Sequence, residues 1–202
     1  DSVLVSKAEE RINTGIKAAW TEYFVRGDQM RYGMLQAASS DDIKDAVGKR
    51  NAVYLKKMLS AWKDRRAYVD IWTAVDAEAR VIQRLNSTVY GDTFDLNGLV
   101  RRVLSTGEAS ISTEIITKEK LRLEGAAVTE RASMAKPRSA VSGDGAPAHG
   151  GTVQDVIALI VVVPVMSGDV RLGAIITADI LTNDDYVPDT VAAKYPGLFT
   201  SI

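Results

Sequence analysis

Apolar residues recur at helical spacing along the first 38 positions: Val5, Ala8, Ile12, Ile16, Ala19, Tyr23, Met30, Met34 and Ala37, with no proline among them. The pattern predicts a single helix over residues 2–38, on the order of 50 Å long, more than a small domain needs. A helix of that length suits a coiled coil, a dimer seam or a stem. Gly15, Gly27 and Gly33 each weaken it by up to about 1 kcal/mol if interior. Ser39–Asp42 then offers an N-cap with an acid three positions on, opening a short helix that Gly48 ends. Leu55, Met58, Leu59 and Trp62 form the apolar stripe of a third helix over residues 49–65, with Lys56, Lys57 and Lys63 outside it.

After Arg66 the period shortens. Residues 67–75 predict a strand, Asp76–Ala79 its turn, and residues 80–85 the return strand. Gly91–Asp92 opens a loop, Asp95 caps a helix over residues 96–105, and Gly107 closes it. A third strand follows over residues 109–116, then a helical stretch over 117–132. Residues 136–152 are rich in proline, glycine and serine and predict a long loop. Val156–Val165 and Leu172–Asp179 are apolar strands without period-2 polarity, joined by Ser167–Asp169, where Gly168 can take the positive φ of a tight turn. Such strands are covered on both faces, or covered on one and lining a dry pocket on the other. The first of them, at about 10 residues, is too short for a membrane span that needs roughly 20. The expected fold class is α+β: a helical stem over residues 1–66 packed on a five-stranded antiparallel sheet over residues 67–202, together one domain.

Composition narrows the function classes. The 25 basic and 26 acidic residues balance, so no net field argues for nucleic acid or an anionic lipid surface. The absence of cysteine excludes disulfides, thiolate metal sites, iron–sulfur clusters and a cysteine nucleophile. No segment has a signal-peptide or transmembrane profile. The chain opens within a helical pattern at Asp1, without an initiator Met, and reads as a piece of a longer protein.

Five short motifs in order carry a resemblance. Val75–Arg84 reads as strand, aspartate turn, strand and arginine. Gly91–Asp92 precedes a helix ending at Gly107. Ser112–Leu121 with Glu124–Gly125 reads as strand then helix. Val163–Val165 through Gly173, and Ile180–Asp184, read as a final hairpin and its exit. Over residues 50–190 the chain resembles the Cache (PAS-like) extracytoplasmic sensor domains of bacterial and archaeal histidine kinases and chemoreceptors. It departs from them in the first turn, where Ala77 and Ala79 replace the usual glycine, and at Ala178 in the last strand. The resemblance implies a PAS-like sheet with a small organic acid, amino acid or similar metabolite bound on its open face. It also implies a periplasmic position, a membrane-anchored parent and output through a kinase or a chemotaxis pathway.

Candidate binding residues follow from strand alternation. Val69, Ile71 and Val75 share one face of the first strand; Tyr68, Asp70 and Trp72 share the other. If the apolar set packs on the stem, Tyr68 and Trp72 wall a pocket; otherwise they fill a second core layer. Arg84 could hold a carboxylate in its fork, or pair with Asp76, Glu78 or Asp92. Thr177 and Asp179 interrupt an apolar run and need polar partners, from ligand, loop or Arg84. Ser110 and Ser112 share a face of the third strand, turned inward or to solvent. His149 stands alone in a flexible stretch and suits neither catalysis nor a metal. Asp184–Asp185 lacks the bidentate acid of a calcium loop. No catalytic residue, metal or cofactor is expected. The leading expectation is a non-catalytic ligand sensor that forms a homodimer through its stem helix and signals along it. The rival is a ligand-free interaction or dimerisation module.

Overall fold

A computed structural model describes residues 2–133, 154–182 and 184–195, with side chains from residue 5 onward. The expected loop over 136–152, with His149, lies outside the described residues. Packing divides the chain into two compact units, residues 30–183 and residues 1–29 with 184–202.

The larger unit is built on one antiparallel sheet of β1 (Ile71–Asp76), β2 (Val81–Arg84), β3 (Ser110–Ile116), β4 (Val156–Ser167) and β5 (Val170–Ile180), in spatial order β2-β1-β5-β4-β3. The α+β expectation holds. The hairpin of β4 and β5 forms the middle of the sheet, which explains why those strands lack polar alternation: both faces are covered. Gly168 turns the hairpin at φ +58°, as anticipated. Pro164 pairs with Ala174 on β5, while the ladder to β3 ends at Val162–Ser110. The bond from Leu181 N–H to the Ile157 carbonyl fixes the phase of the β4–β5 ladder. That phase puts the proline nitrogen on the side away from β5, where no strand pairs with it.

Cross-strand pairing sorts the two faces. Ile71, Thr73 and Val75 share one face with Ala178, Ile176 and Ala174 of β5 and with Ile160 and Val162 of β4. These apolar side chains merge with Val100 and Val103 of α4 (Leu99–Thr106), Leu121 of α5 (Lys118–Glu124) and Val128 of α6 (Ala126–Ser133) into one core. The other face carries Trp72, Ala74, Ile175 and Thr177. It packs against α2 (Asp41–Gly48) and α3 (Ala52–Arg65), where Trp62 and Trp72 lie 6.4 Å apart between ring centroids.

Several boundaries move for local reasons. β1 begins at Ile71, because Lys63 Nζ donates to the carbonyls of Ala67 and Val69, and Val69 N–H closes a turn on Arg66. The helical stretch over 117–132 breaks at Gly125, whose φ of +110° no helix accepts. α4 opens three residues late behind Gly98 at φ +80°, though Asp95 still accepts from Val100 N–H at 3.1 Å. Ser40 occupies the N-cap of α2, yet its hydroxyl bonds back to the Ala37 carbonyl.

In the smaller unit the long helix α1 (Ser2–Ala38), as expected over residues 2–38, contributes residues 2–29. It pairs with α7 (Tyr186–Lys194), an element the sequence pattern did not reveal. Lys194 meets Glu22 at 2.5 Å, and Arg26 meets Asp184 at 3.3 Å while lying over the Tyr186 ring at 4.0 Å. Rising numbers on α1 meet falling numbers on α7, so the two helices run antiparallel. Ile12, Ile16, Trp20 and Phe24 are exposed on α1, and Trp20 stacks on Phe24 at 5.6 Å.

Candidate functional site

Arg84 ends β2 on the face of the sheet that carries Thr73, its cross-strand partner. Only 1% of the residue reaches solvent. Its Nε donates to Glu124 Oε1 at 2.7 Å, and Nη1 and Nη2 grip the two oxygens of Asp92 at 2.7 Å each. Nη1 also donates to the Val89 carbonyl at 2.9 Å. The second oxygen of Glu124 accepts from the Thr73 hydroxyl at 2.8 Å. Three separate pieces of chain, the sheet, the segment after β2 and the α5–α6 junction, are thereby joined at one guanidinium.

Glycine makes the junction possible. A Cβ on Gly125 would fall 2.0 Å from the Asn86 carbonyl oxygen, so only glycine lets the end of α5 approach β2 closely enough to deliver Glu124. Burial holds the Glu124 carboxyl above its usual range, against the pull of Arg84 and of the Thr73 hydroxyl. Asp92, part exposed on the outer side, is held below its usual range by the hydrogen bonds and charge of Arg84. Burial opposes the charge on Arg84, but the bonds and charges of Asp92 and Glu124 outweigh it and raise its pKa. The cavity beside the cluster, lined by Arg84, Asp92, Leu96 and Lys120 among others, measures about 20 Å³. That is room for a water molecule.

The fold has solved counterparts. A domain from a Vibrio parahaemolyticus protein assigned to the sensory box/GGDEF family matches with a TM-score of 0.58 at 12% identity, over 93% of this chain and 64% of that one. The extracellular domain of vpHK1S-Z8, a protein described as a histidine kinase, matches with a TM-score of 0.56 at 12% identity, over 95% of this chain and 62% of that one. This chain shares their fold. This chain spans somewhat under two thirds of either counterpart's length. No family model and no curated protein sequence matches it.

Within this fold the six residues singled out from the sequence separate. Arg84 and Ser110 stand on the face that meets α4–α6, where Ser110 accepts from Arg102 Nη2 at 3.3 Å. Trp72, Thr177 and Asp179 stand on the opposite face, the one covered by α2 and α3; Trp72 and Thr177 are direct cross-strand neighbours. The expected sorting of faces is therefore inverted. Ile71 and Val75 look toward α4–α6, and Trp72 looks toward α3, because the large ring fills the space over Trp62. Its Nε1–H is spent on the Val69 carbonyl at 3.0 Å. Tyr68 belongs to neither face, since it lies in the turn before β1. Thr177 donates to the Val161 carbonyl at 3.4 Å. Asp179 is fully buried, and with Asp70 it acts electrostatically on Lys63, whose pKa burial lowers and these two charges raise. Arg84 does not offer an open fork: Asp92, one of the partners considered for it, already fills that fork.

Glu124 was not singled out as a functional residue. The signal was present in the spacing Leu121, Glu124, Val128, which sets a carboxylate in a buried helical stripe immediately before a glycine.

Proposed function

We propose that this chain is the extracytoplasmic sensing region of a membrane-anchored signal-transduction receptor, of the histidine kinase or chemoreceptor type, responding to a small organic acid or amino acid. The observation that carries the reading is the PAS-like fold combined with the antiparallel pairing of α1 and α7. α7 runs back along α1 as far as Lys194 beside Glu22, a direction that supports two helices leading toward one membrane. Effector binding favours one of two arrangements of the sheet and the segments clamped by Arg84, and α1 and α7 carry the difference outward. The exposed seam of Ile12, Ile16, Trp20 and Phe24 supports pairing of two stems in a symmetric homodimer.

A thermal-shift screen of the chain against carboxylates and amino acids tests the reading, with hits carried into a chimeric receptor joined through α1 and α7. A stabilising compound that also drives output supports it. A second reading, a ligand-free dimerisation module, is favoured by the same seam and by the filled core between the sheet and α4–α6. Silence across the screen, together with a stable dimer lost in Trp20→Glu, would select that reading instead.

A further inference from the structure

A groove outside the sheet, between β2 and the start of α3, has a volume of about 410 Å³, within the range of small-molecule sites. Its polar lining is Arg50, Lys56, Gln83, Ser87, Thr88 and Tyr90. The floor is apolar, with Ile82 and Ala52 lining it. Among the described residues, no acidic side chain lines it. We propose that this groove binds a small organic carboxylate.

The charges are arranged for an anion. Arg50 sits at a backbone φ of +54° and donates Nη1 to Asp76 Oδ2, a carboxylate itself anchored by Glu78 N–H at 3.1 Å and Arg80 N–H at 2.8 Å. The guanidinium is thus fixed at one end, while half its surface stays open to solvent. Asp76 offsets that first positive charge. Lys56, on the exposed side of α3, has no ion-pair partner among the described residues, so the groove as a whole is positive. The Ser87 oxygen accepts from Val89 N–H at 3.1 Å, which leaves its proton to donate, as the hydroxyls of Thr88 and Tyr90 can. Donors and cations thus ring an apolar floor, and that combination selects a carboxylate on a short carbon skeleton over a neutral or cationic molecule.

The position also links the groove to the clamp described above. Gln83 and Ser87–Tyr90 flank Arg84 in sequence, and the Val89 carbonyl is one of its acceptors. A guest seated there bears on the segment that holds Asp92. This link deepens the sensor reading and rests on it; the groove itself rests on its own residues.

The test is amide NMR of the whole chain titrated with succinate and with glutamate at low ionic strength. Shifts should gather at Gln83, Ser87, Thr88 and Tyr90, with a Kd at or below about 1 mM for at least one probe. Lys56→Glu, an exposed change that spares the fold, should weaken binding at least about tenfold, and Lys120→Glu at the small Arg84 cavity should leave it unchanged. Absence of shifts at those four amides up to about 10 mM, or indifference of the affinity to Lys56→Glu, overturns the groove. Shifts that gather on another surface also overturn it, while leaving the sensor reading intact; the chimeric receptor judges that reading separately.

Discussion

Arg84 Nε and Glu124 Oε1 meet at 2.7 Å with almost no water reaching either residue. A buried pair of this kind adds little over a well-packed apolar pair, but removing one partner strands the other charge. Arg84→Met should therefore cost about 3–5 kcal/mol in denaturant unfolding. The double variant Arg84→Met with Glu124→Leu should recover part of that loss. If it is no better than the single change, the stranded charge is not the cause.

Glu124 also sets a pH dependence. Its folded pKa lies above the unfolded value near 4.5, so between the two values the folded chain binds more protons. Stability from this group is therefore fully present below 4.5 and is lost as pH rises through the folded pKa. Asp92 runs the other way: its folded pKa lies below 3.8, so its contribution is present above that value and fades as pH falls below it. Compared with Glu124→Gln, the wild-type chain should gain relative stability as pH falls from neutral toward 4.5. A difference that stays flat over that window would contradict the raised carboxyl.

Gly125 and Gly98 both have positive φ, at +110° and +80°, but only the first faces an obstacle. Gly98→Ala should cost about 1 kcal/mol, the backbone preference alone. Gly125→Ala adds the clash with Asn86 and should cost at least about 2 kcal/mol. Equal shifts in melting temperature would mean that the α5–α6 junction yields easily.

Trp72 and Thr177 face each other across β1 and β5 on the face covered by α2 and α3. Trp72→Ala should cost about 3–5 kcal/mol through the cavity it leaves against Trp62. Thr177→Val should fall within about 1 kcal/mol of wild type, since the bond it removes is long at 3.4 Å. Neither change should weaken carboxylate binding at Lys56. Loss of that binding in Thr177→Val would move the ligand from the β2 edge to the middle of the sheet.

How much of this was legible beforehand depended on which kind of signal carried it. The stem, the α2 and α3 helices and the β4–β5 hairpin were written in periodicity and in Gly168, which are local. The sidedness of β1 was not. Alternation says that Ile71 and Trp72 point opposite ways, but not which way, and the outcome turned on a distant partner, Trp62. The turn at 66–70 was hidden because Lys63 stabilises it from the preceding helix, through its ammonium and not through any turn residue. α7 went unread because Pro188 and the acids around it interrupt any apolar period, whereas proline in a helix's first turn is tolerated. The Arg84 cluster was half visible: Asp92 was among the partners considered, while Glu124 arrives from 40 residues away in sequence.

β4 runs past the end of β3 into buried surroundings, where a backbone N–H at position 164 would be shut away from water with no strand to accept it. The Pro164 nitrogen, without a hydrogen, removes that orphan donor, so restoring an ordinary residue at 164 would add a desolvation cost even where its side chain fits.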